Sequence, residues 1–174
     1  MKNVFKLKRQ GEDKIFNPNK LGNKKLLWHG SLFSNFVGIL SQGLRIAPPE
    51  APKTGYNFGK GVYFADLAGK SAPYCRTYNS NGTGLLLLCE VALGNPKVLH
   101  RPNCDADNLP KGFHSTHALG YERPDPKGSK TMDKDIEVPM GLAKSFKDGG
   151  MGANEFVVYN TNQIKMRYLV QFQA

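Results

Sequence analysis

The pattern of hydrophobic and polar positions along the chain favours strands over helices. An almost uninterrupted apolar run covers residues 84–93 and predicts a strand at the centre of a sheet. Near the carboxyl end, residues 155–159 and 166–172 also have the composition of strands. At the other end, apolar and basic residues alternate over 4–8, which is typical of a half-exposed strand. The pattern therefore predicts a protein built mainly of β-structure.

Helical spacing of apolar residues is limited to two short stretches. The first covers residues 33–40, and Gly43 behind it is a typical helix stop. For the second, Asp66 is placed to cap a helix that runs towards Tyr78, with Pro73 as a kink or a new start inside it. Helices are therefore expected to be few and short.

Between these elements the chain is rich in proline and glycine. Residues 46–61 are expected to form a loop between short strands at 26–28 and 62–64. Residues 101–152 are polar, with only short apolar patches. Few helices, many strands and no regular alternation of strand and helix favour an α+β fold with mainly antiparallel sheets. The length of 174 residues is that of one domain, so residues 1–174 are expected to form a single domain.

Composition and charge narrow the class of protein. Hydrophobic residues make up 40% and aromatic residues 10%, as in folded domains, and the longest apolar run, 85–89, is far shorter than the ~20 residues of a membrane-spanning helix. No membrane partner is therefore expected. Of the net charge of +10, +6 lies in a basic leader, residues 1–25, which holds eight basic and two acidic residues. This leader, which includes the first predicted strand, is either a solvated, solubilising segment or a site for an anion such as nucleic acid.

The cysteines and histidines indicate neither a disulfide framework nor a metal site. Cys75, Cys89 and Cys104 are odd in number and widely spaced, which favours a reducing compartment, nuclear or cytoplasmic. The chain opens without the apolar segment of a secretory signal, so a secreted protein is not expected. His114 and His117 lie three residues apart, but a fourth ligand is missing, and we expect no metal.

The glycine-rich segment 55–61 has some features of a phosphate-binding loop. It has three residues, not four, between its first glycines, and Gly61 follows Lys60 where such a loop has Ser or Thr. A strand follows it instead of a helix, which argues against a dinucleotide-binding fingerprint. Two interpretations stay open: a flexible surface loop, or a loop whose backbone closes over a ligand with Lys60 near a phosphate.

Several long motifs resemble the catalytic domain of the poly(ADP-ribose) polymerases. They are LWHGS at 27–31, GILSQGLRIAPPEAP at 38–52, TGY at 54–56, FGKGVYFAD at 58–66, KSA at 70–72 and NEFVVY at 154–159. The resemblance is nearly continuous over 26–97, and its motifs are most similar to those of the DNA-damage-responsive members of the family. It implies an ADP-ribosyltransferase fold around an NAD-binding cleft. The activity it implies is transfer of ADP-ribose from NAD+ to proteins, the enzyme itself included, with release of nicotinamide.

The His-Tyr-Glu triad of this family is filled by His29, Tyr63 and Glu155. Cleavage of NAD+ between nicotinamide and ribose passes through an oxocarbenium-like cation, as in glycoside transfer. By resemblance, Glu155 stabilises this cation, bonds the 2′-OH of the nicotinamide ribose and can polarise an acceptor hydroxyl. By the same resemblance, His29 is expected to hold the 2′-OH of the adenine ribose. Without the resemblance, the three would be interpreted as a buried histidine, a core aromatic and a strand-edge carboxylate.

The resemblance also assigns further contacts to NAD+ as the substrate. Tyr63 and Tyr74 stack on the two faces of nicotinamide. The backbone of Gly30 and the hydroxyl of Ser71 hold its carboxamide. The remaining contacts are Ser31 and Arg45 on the adenosine side, Tyr56 in the loop over NAD+, Lys60 along the pyrophosphate, and Phe64 and Ala65. No metal is implied.

One departure from the family concerns regulation. Only 25 residues precede Leu26, too few for the helical regulatory domain that restricts NAD+ access in the relatives until DNA breaks are sensed. We therefore expect an enzyme that is active without DNA. Its affinity for NAD+ is expected to be lower, because an acidic contact from that domain is missing.

Two further departures concern the acceptor side. Gly152 and Ala153 stand where the polymerases usually carry bulky apolar and aromatic groups, and Asn57 stands where they often have Met. The retained Glu155 favours polymer formation, whereas the altered walls favour short or unbranched chains. Three alternatives stay open: mono-ADP-ribosyl transfer, NAD+ hydrolysis, and a basic nucleic-acid-binding module with a silent NAD pocket. In each case the leader is the segment expected to meet nucleic acid or a polyanionic ADP-ribose chain.

Overall fold

Three β-sheets and a few short helices make up the part of the chain that the structure, a computed structural model, describes: residues 1–16, 18, 21–52 and 55–174. The strands are β1 (Asn3–Lys6), β2 (Lys24–Gly30), β3 (Val62–Phe64), β4 (Thr83–Ala92), β5 (Pro96–Leu99), β6 (Ser115–Ala118), β7 (Gly120–Pro124), β8 (Lys130–Met132), β9 (Ile136–Val138), β10 (Ala143–Ser145), β11 (Met151–Ala153), β12 (Glu155–Val158) and β13 (Ile164–Gln173). The α-helices are α1 (Glu12–Ile15), α2 (Phe36–Gln42) and α3 (Ala68–Ser71), and short 3-10 helices cover Phe33–Asn35, Ala72–Cys75, Thr77–Ser80, Pro126–Gly128 and Thr161–Gln163. The predicted α+β class is confirmed.

The largest sheet has six strands in the order β1-β13-β4-β2-β9-β8. Within it, β4 lies between β13 and β2 and is antiparallel to both. Leu87 of β4 packs into the main core, whereas its neighbour Leu86 packs into a second cluster of buried residues. Because β4 is covered on both faces, its sequence is an almost continuous apolar run and not an alternation. The central strand predicted at 84–93 is confirmed.

The four-stranded sheet, in the order β3-β12-β6-β5, brings together residues that are far apart in sequence. β12 pairs antiparallel with β3, so that Val157 lies opposite Tyr63, and Glu155 opens the same strand next to β6. A bridge between Trp28 on β2 and Ala65 behind β3 joins this sheet to the six-stranded one. The two sheets therefore meet where the histidine, tyrosine and glutamate of the triad lie.

Six short strands, β6 to β11, lie in the polar segment 101–152 or begin in it, and β10, β7 and β11 form the third sheet. Each has three to five residues. β6 pairs with β5 and β12, and β9 pairs with β2, whereas β7, β8, β10 and β11 pair with other strands of this segment. Their register is set by these partners and not by an apolar pattern of their own. For this reason the sequence of the segment showed only short apolar patches.

The helix after β3 differs from the expectation. In the described structure α3 begins at Ala68 without a side-chain cap, so the predicted capping role of Asp66 is wrong. The Asp66 carboxylate is buried instead and accepts a hydrogen bond from Asn154. After one turn the helix gives way to a 3-10 segment that contains Pro73, as the predicted break requires. No helix among the described residues is long and apolar enough to cross a membrane.

The basic leader is to a large extent part of the fold. β1 pairs antiparallel with β13 over its whole length. Three of the leader's basic side chains form ion pairs: Arg9 with Glu12, Lys24 with Glu90 and Asp135, and Lys25 with Glu137. These pairs compensate part of the charge that the sequence offered to an anionic partner. Lys20 of the leader and Thr54 of the TGY motif lie outside the described residues.

Candidate active site

A cleft of two adjoining cavities lies beside β3 and the start of β12. The inner cavity has a volume of about 220 Å³ and the outer cavity about 570 Å³. His29, Tyr56 and Tyr63 line both and stand where the two meet. Of the other predicted site residues, the inner cavity holds Gly30, Phe64, Ala65, Ser71, Tyr74 and Glu155, and the outer cavity holds Ser31 and Arg45. Among the described residues, the fold thus brings every predicted site residue except Lys60 to one cleft.

His29 stands near the end of β2 with its ring oriented by a backbone contact. Its Nδ1 lies 2.8 Å from the carbonyl oxygen of Tyr63. Because a carbonyl can only accept, Nδ1 carries the proton and Nε2 is left as an acceptor. Burial lowers the pKa of His29, and the bond to Tyr63 offsets this only in part, so the imidazole is neutral at pH 7. The cleft therefore contains a neutral histidine with one acceptor nitrogen.

Tyr63 lies in the middle of β3 and presents its ring to both cavities. Its hydroxyl donates to the carbonyl of Gly59 at 2.7 Å and accepts from the N–H of Phe58 at 3.0 Å. Burial raises the pKa of Tyr63, so the hydroxyl stays protonated. The loop in front of β3 thus holds the ring of Tyr63 in place. A second aromatic residue of the inner cavity is Tyr74, whose side chain is exposed.

The backbone of Gly30 is in close contact with α3. A Cβ at Gly30 would lie 2.1 Å from the carbonyl oxygen of Ser71, which no other residue type can tolerate without a shift of the helix. The hydroxyl of Ser71 donates to the carbonyl of Trp28 at 3.1 Å. Glycine at position 30 therefore allows α3 to approach β2 and to form one wall of the inner cavity.

Glu155 is the buried carboxylate of the cleft, with 7% of its surface exposed. Its Oε1 lies 3.0 Å from the Nζ of Lys70 on α3. Sequence reasoning did not identify Lys70 as a site residue, although it opens the KSA motif that carried part of the resemblance. The available signal was its basic side chain in a motif that follows the strand of Tyr63 by six residues. Gly55 and Asn57 are further residues of the inner cavity that were not predicted to contact NAD+.

Lys60 does not line either cavity in the described structure. Its side chain is buried, and its Nζ donates to the carbonyl oxygens of Pro48, at 2.7 Å, and Pro49. This placement does not favour the predicted approach of Lys60 to a phosphate, because its ammonium is directed at backbone carbonyls, and that contact stays a prediction. Lys60 instead connects the end of the loop 46–61 to Pro48 and Pro49 near its start. Among the described residues, no group of three or more His, Cys, Asp or Glu is arranged to hold a metal ion.

Comparisons with known proteins agree with the motifs. A model of the poly(ADP-ribose) polymerase catalytic domain matches residues 1–174. Poly [ADP-ribose] polymerase 2-A of Oryza sativa subsp. japonica is 52% identical over 170 residues, which are 96% of this chain and 26% of that protein. Poly [ADP-ribose] polymerase 1 of Gallus gallus is 49% identical over 173 residues, which are 98% of this chain and 17% of that protein. The chain thus spans about a quarter or less of the length of these relatives.

Proposed function

Because the chain belongs to the poly(ADP-ribose) polymerase catalytic-domain family, we propose that it is an NAD+-dependent ADP-ribosyltransferase. In the proposed reaction ADP-ribose passes from NAD+ to protein acceptors, including the chain itself, and nicotinamide is released. The observation that carries the proposal is the position of Glu155, a buried carboxylate in the same cavity as Tyr63 and paired with Lys70.

Nicotinamide is assigned to the inner cavity. The rings of Tyr63 and Tyr74 both line it, and aromatic faces stack favourably on a flat heteroaromatic ring. A primary amide offers one acceptor and a donor group, and the backbone of Gly30 can supply the matching carbonyl and N–H. The hydroxyl of Ser71 can rotate from the Trp28 carbonyl to the ligand. This arrangement orients nicotinamide as a leaving group.

Glu155 is assigned to the ribose next to nicotinamide. When the bond between the nicotinamide nitrogen and C1′ breaks, its electron pair stays on the nitrogen and positive charge develops on the ribose. The carboxylate of Glu155 stabilises that charge. It can also take the proton of an acceptor hydroxyl while the hydroxyl oxygen bonds to C1′. Lys70 holds the carboxylate at this place before NAD+ binds.

The outer cavity is assigned to adenosine. His29 stands between the two cavities, and its Nε2 can accept a hydrogen bond from the 2′-OH of the adenine ribose. Ser31 and Arg45 line the outer cavity only, and Tyr56 lines both. An extended dinucleotide is therefore accommodated with its nicotinamide end in the smaller cavity and its adenosine end in the larger, more open one.

We further propose that the product is a polymer with short or unbranched chains. Glu155, which can polarise the hydroxyl of a growing chain as well as that of a protein, supports elongation. Asn57 lines the inner cavity, and no described heavy atom lies within 4 Å of a Cβ placed at Gly152. The wall on the acceptor side is therefore open, which gives a growing chain fewer contacts.

The proposals for partners and compartment rest on charge and on the thiols. The exposed lysines of the leader, Lys2, Lys6, Lys8 and Lys14, are the proposed contacts to nucleic acid or to the polymer. Nucleic-acid binding as the main function has less support, because Arg9, Lys24 and Lys25 of the leader are engaged in ion pairs.

The proposed cellular compartment is nuclear or cytoplasmic. Cys75 and Cys89 are free, buried thiols, which supports such a reducing compartment.

Incubation with labelled NAD+ followed by a denaturing gel tests this function. A ladder on the protein indicates polymer, one discrete shift indicates mono-ADP-ribosyl transfer, and free ADP-ribose without labelled protein indicates NAD+ hydrolysis. Glu155→Gln should remove the label while a nicotinamide analogue still binds, because the stacking residues are untouched. A further arm with nicked DNA measures whether DNA changes the rate of transfer. Absence of both labelled protein and released nicotinamide would overturn the proposed function.

A further inference from the structure

A group of polar side chains lies next to Glu155 but outside the cleft. Asp66 and Asn154 are buried, and the half-buried His117 stacks on Phe156, with ring centroids 4.4 Å apart. In the described structure none of the three polar residues lines either cavity. The reaction proposed above therefore gives them no direct contact with NAD+. Their burial beside the catalytic carboxylate requires another explanation.

Asn154 is held by hydrogen bonds at both ends of its amide. Its Oδ1 accepts from the N–H of Gly120 at 2.8 Å, and its Nδ2 donates to Oδ2 of Asp66 at 2.7 Å. Gly120 belongs to β7, and Asp66 follows β3, so the side chain connects two separate parts of the fold. The residue directly before Glu155 is thus fixed in both directions.

The backbone around Asn154 has no room to shift towards β7. A Cβ at Gly120 would lie 2.1 Å from the carbonyl carbon of Ala153 and 2.3 Å from the nitrogen of Asn154. Main chain packs directly on main chain at this point. If the hydrogen bonds of the Asn154 side chain are lost, the start of β12 can therefore shift only along the sheet or away from β7, and Glu155 would move with it.

Two short contacts connect the same pair of segments. Asp66 bonds Asn154 at 2.7 Å, and four residues further on Lys70 bonds Glu155 at 3.0 Å. The segment 66–70 thereby holds consecutive residues of the segment 154–155. Loss of the first contact changes the geometry of the second, which lies in the inner cavity.

We propose that Asp66 and Asn154 are positioning residues that hold Glu155 in its place, and that they do so best when Asp66 is ionised. An ionised acceptor makes a shorter and stronger hydrogen bond to the Asn154 amide than a neutral one. The inference rests on the proposed function, since it concerns the placement of the carboxylate that acts on the ribose. It adds a pH-dependent step to that function.

The surroundings of Asp66 bring the pKa of its carboxyl group close to neutral pH. Burial raises the pKa of Asp66 to about 6, although the bond from Asn154 and the charges of Lys25 on β2 and Arg123 on β7 act in the opposite direction. Its Oδ1 has no hydrogen-bond partner among the described residues, so the carboxylate is only half satisfied. His117 on β6 is the other titratable group here, and burial lowers its pKa, with Asn154 acting against that change.

Rate and stability should respond to this titration in opposite directions. Because the pKa of Asp66 is raised from 3.8 to about 6, the folded chain binds a proton that the unfolded chain has lost between these values. Asp66 therefore makes the fold less stable as pH rises through this window. The rate, in contrast, rises in the same window because the ionised form positions Glu155. A purely structural role would make the rate follow the stability.

The test compares Asp66→Asn, Asn154→Asp, the double variant that exchanges the two, and His117→Phe as a control that keeps a ring on Phe156. Asp66→Asn retains an acceptor for Asn154 but no charge. Asn154→Asp alone brings two carboxylates together. In the double variant the carboxylate at position 154 accepts from Gly120 N–H and from the amide at position 66, so both bonds are restored. Nicotinamide release and thermal unfolding are measured on the full chain from pH 5 to 8.

For Asp66→Asn we expect kcat about threefold to tenfold lower at pH 7.5, KM for NAD+ within about twofold, and unchanged or higher stability. Its rate should lack the step near pH 6 that wild type and His117→Phe retain. Asn154→Asp should lower kcat by at least about tenfold, and the double variant should recover to within about threefold of wild type.

The outcomes separate this inference from the proposed function. Wild-type chain that releases no nicotinamide overturns both. An active wild type with an Asp66→Asn variant of the same kcat and the same pH profile overturns the positioning role alone. A double variant that is folded but no more active than Asn154→Asp also contradicts it. If Asn154→Asp does not fold, recovery of folding and activity in the double variant gives the same answer.

Discussion

The Nζ of Lys70 lies 3.0 Å from Oε1 of Glu155, and this ion pair connects α3 to the first residue of β12. Burial disfavours the charge of Lys70, but the hydrogen bond and the attraction of Glu155 outweigh that effect and raise the pKa of Lys70. An ion pair that is largely removed from water adds little to stability, because desolvation offsets the attraction. Its main effect here is to orient the carboxylate towards the inner cavity.

Replacement of Lys70 by Met should therefore affect the chemical step. The variant loses a hydrogen bond between charged groups, typically about 1.5–3 kcal/mol, which corresponds to a decrease of kcat by about tenfold to hundredfold. Lys70→Arg keeps the positive charge and should retain more of the rate. The measurement is nicotinamide release as a function of NAD+ concentration. Wild-type kcat in the Met variant would show that Glu155 needs no partner on α3.

The contact between β2 and α3 gives a second prediction. Gly30→Ala places a methyl group 2.1 Å from the carbonyl oxygen of Ser71, so α3 must move and the inner cavity must change shape. We expect binding of a nicotinamide analogue to weaken by about fivefold to hundredfold, since such overpacking costs about 1–3 kcal/mol. The matched control is Gly69→Ala on α3 itself, where no described heavy atom lies within 4 Å of the new Cβ. Equal analogue affinity in the two variants, measured by calorimetry, would contradict the proposed wall.

The sequence predicted the α+β class, the central strand and the residues of the cleft for different physical reasons. The run at 84–93 is buried on both faces, so its position is evident from composition alone. The site residues were recognised through long motifs, in which the order of residue types is set by the chemistry of the cleft. Neither the hydrophobic composition nor the motifs predict which side chains point away from the cleft.

Lys60 and Asp66 illustrate what the sequence could not show. Both lie in the motif at 58–66, and both were assigned roles from their residue type, a phosphate contact and a helix cap. In the structure Lys60 is directed at proline carbonyls and Asp66 at the Asn154 amide. These partners lie 11 or more residues away, and 88 residues away for Asp66, so only the tertiary fold brings them together. The pairing of Lys70 with Glu155 was missed for the same reason.

The tautomer and charge of His29 predict a pH effect on stability. Burial lowers the pKa of His29 below 6.5, so in a window below 6.5 the unfolded chain binds a proton that the folded chain does not. Stability should therefore fall as pH falls through this window. His29→Asn keeps an N–H donor for the Tyr63 carbonyl but cannot titrate. The difference in unfolding free energy between wild type and variant, from urea titrations at pH 5 to 7.5, should shrink towards the acid end; a difference independent of pH would contradict the buried neutral form.

The placement of Lys60 distinguishes a structural from a substrate-binding role. Lys60→Met removes the donor to the carbonyls of Pro48 and Pro49 and should lower the unfolding free energy by about 1–3 kcal/mol. KM for NAD+ should change by less than about threefold, because the ammonium donates to these carbonyls and Lys60 lines neither cavity of the described structure. Chemical denaturation and steady-state kinetics on the same preparation provide both numbers. A tenfold increase in KM without loss of stability would restore the phosphate contact expected from the sequence.

The open wall at Gly152 predicts how product length can be changed. Apart from its chain neighbours, a Cβ added at Gly152 would have no described heavy atom within 4 Å, and the backbone there is outside the left-handed region, so a side chain can be added there without backbone strain. A larger apolar group gives the terminal ADP-ribose of a growing chain a surface to pack against, and Gly152→Leu should lengthen the polymer seen on a sequencing-type gel. Gly152→Ala, which adds little surface, is the control. Since the side chain acts on the acceptor and not on NAD+ cleavage, initial nicotinamide release should stay within about twofold of wild type. Longer chains with unchanged cleavage would assign this wall to the acceptor, whereas unchanged chain length in the Leu variant would mean that the acceptor binds elsewhere.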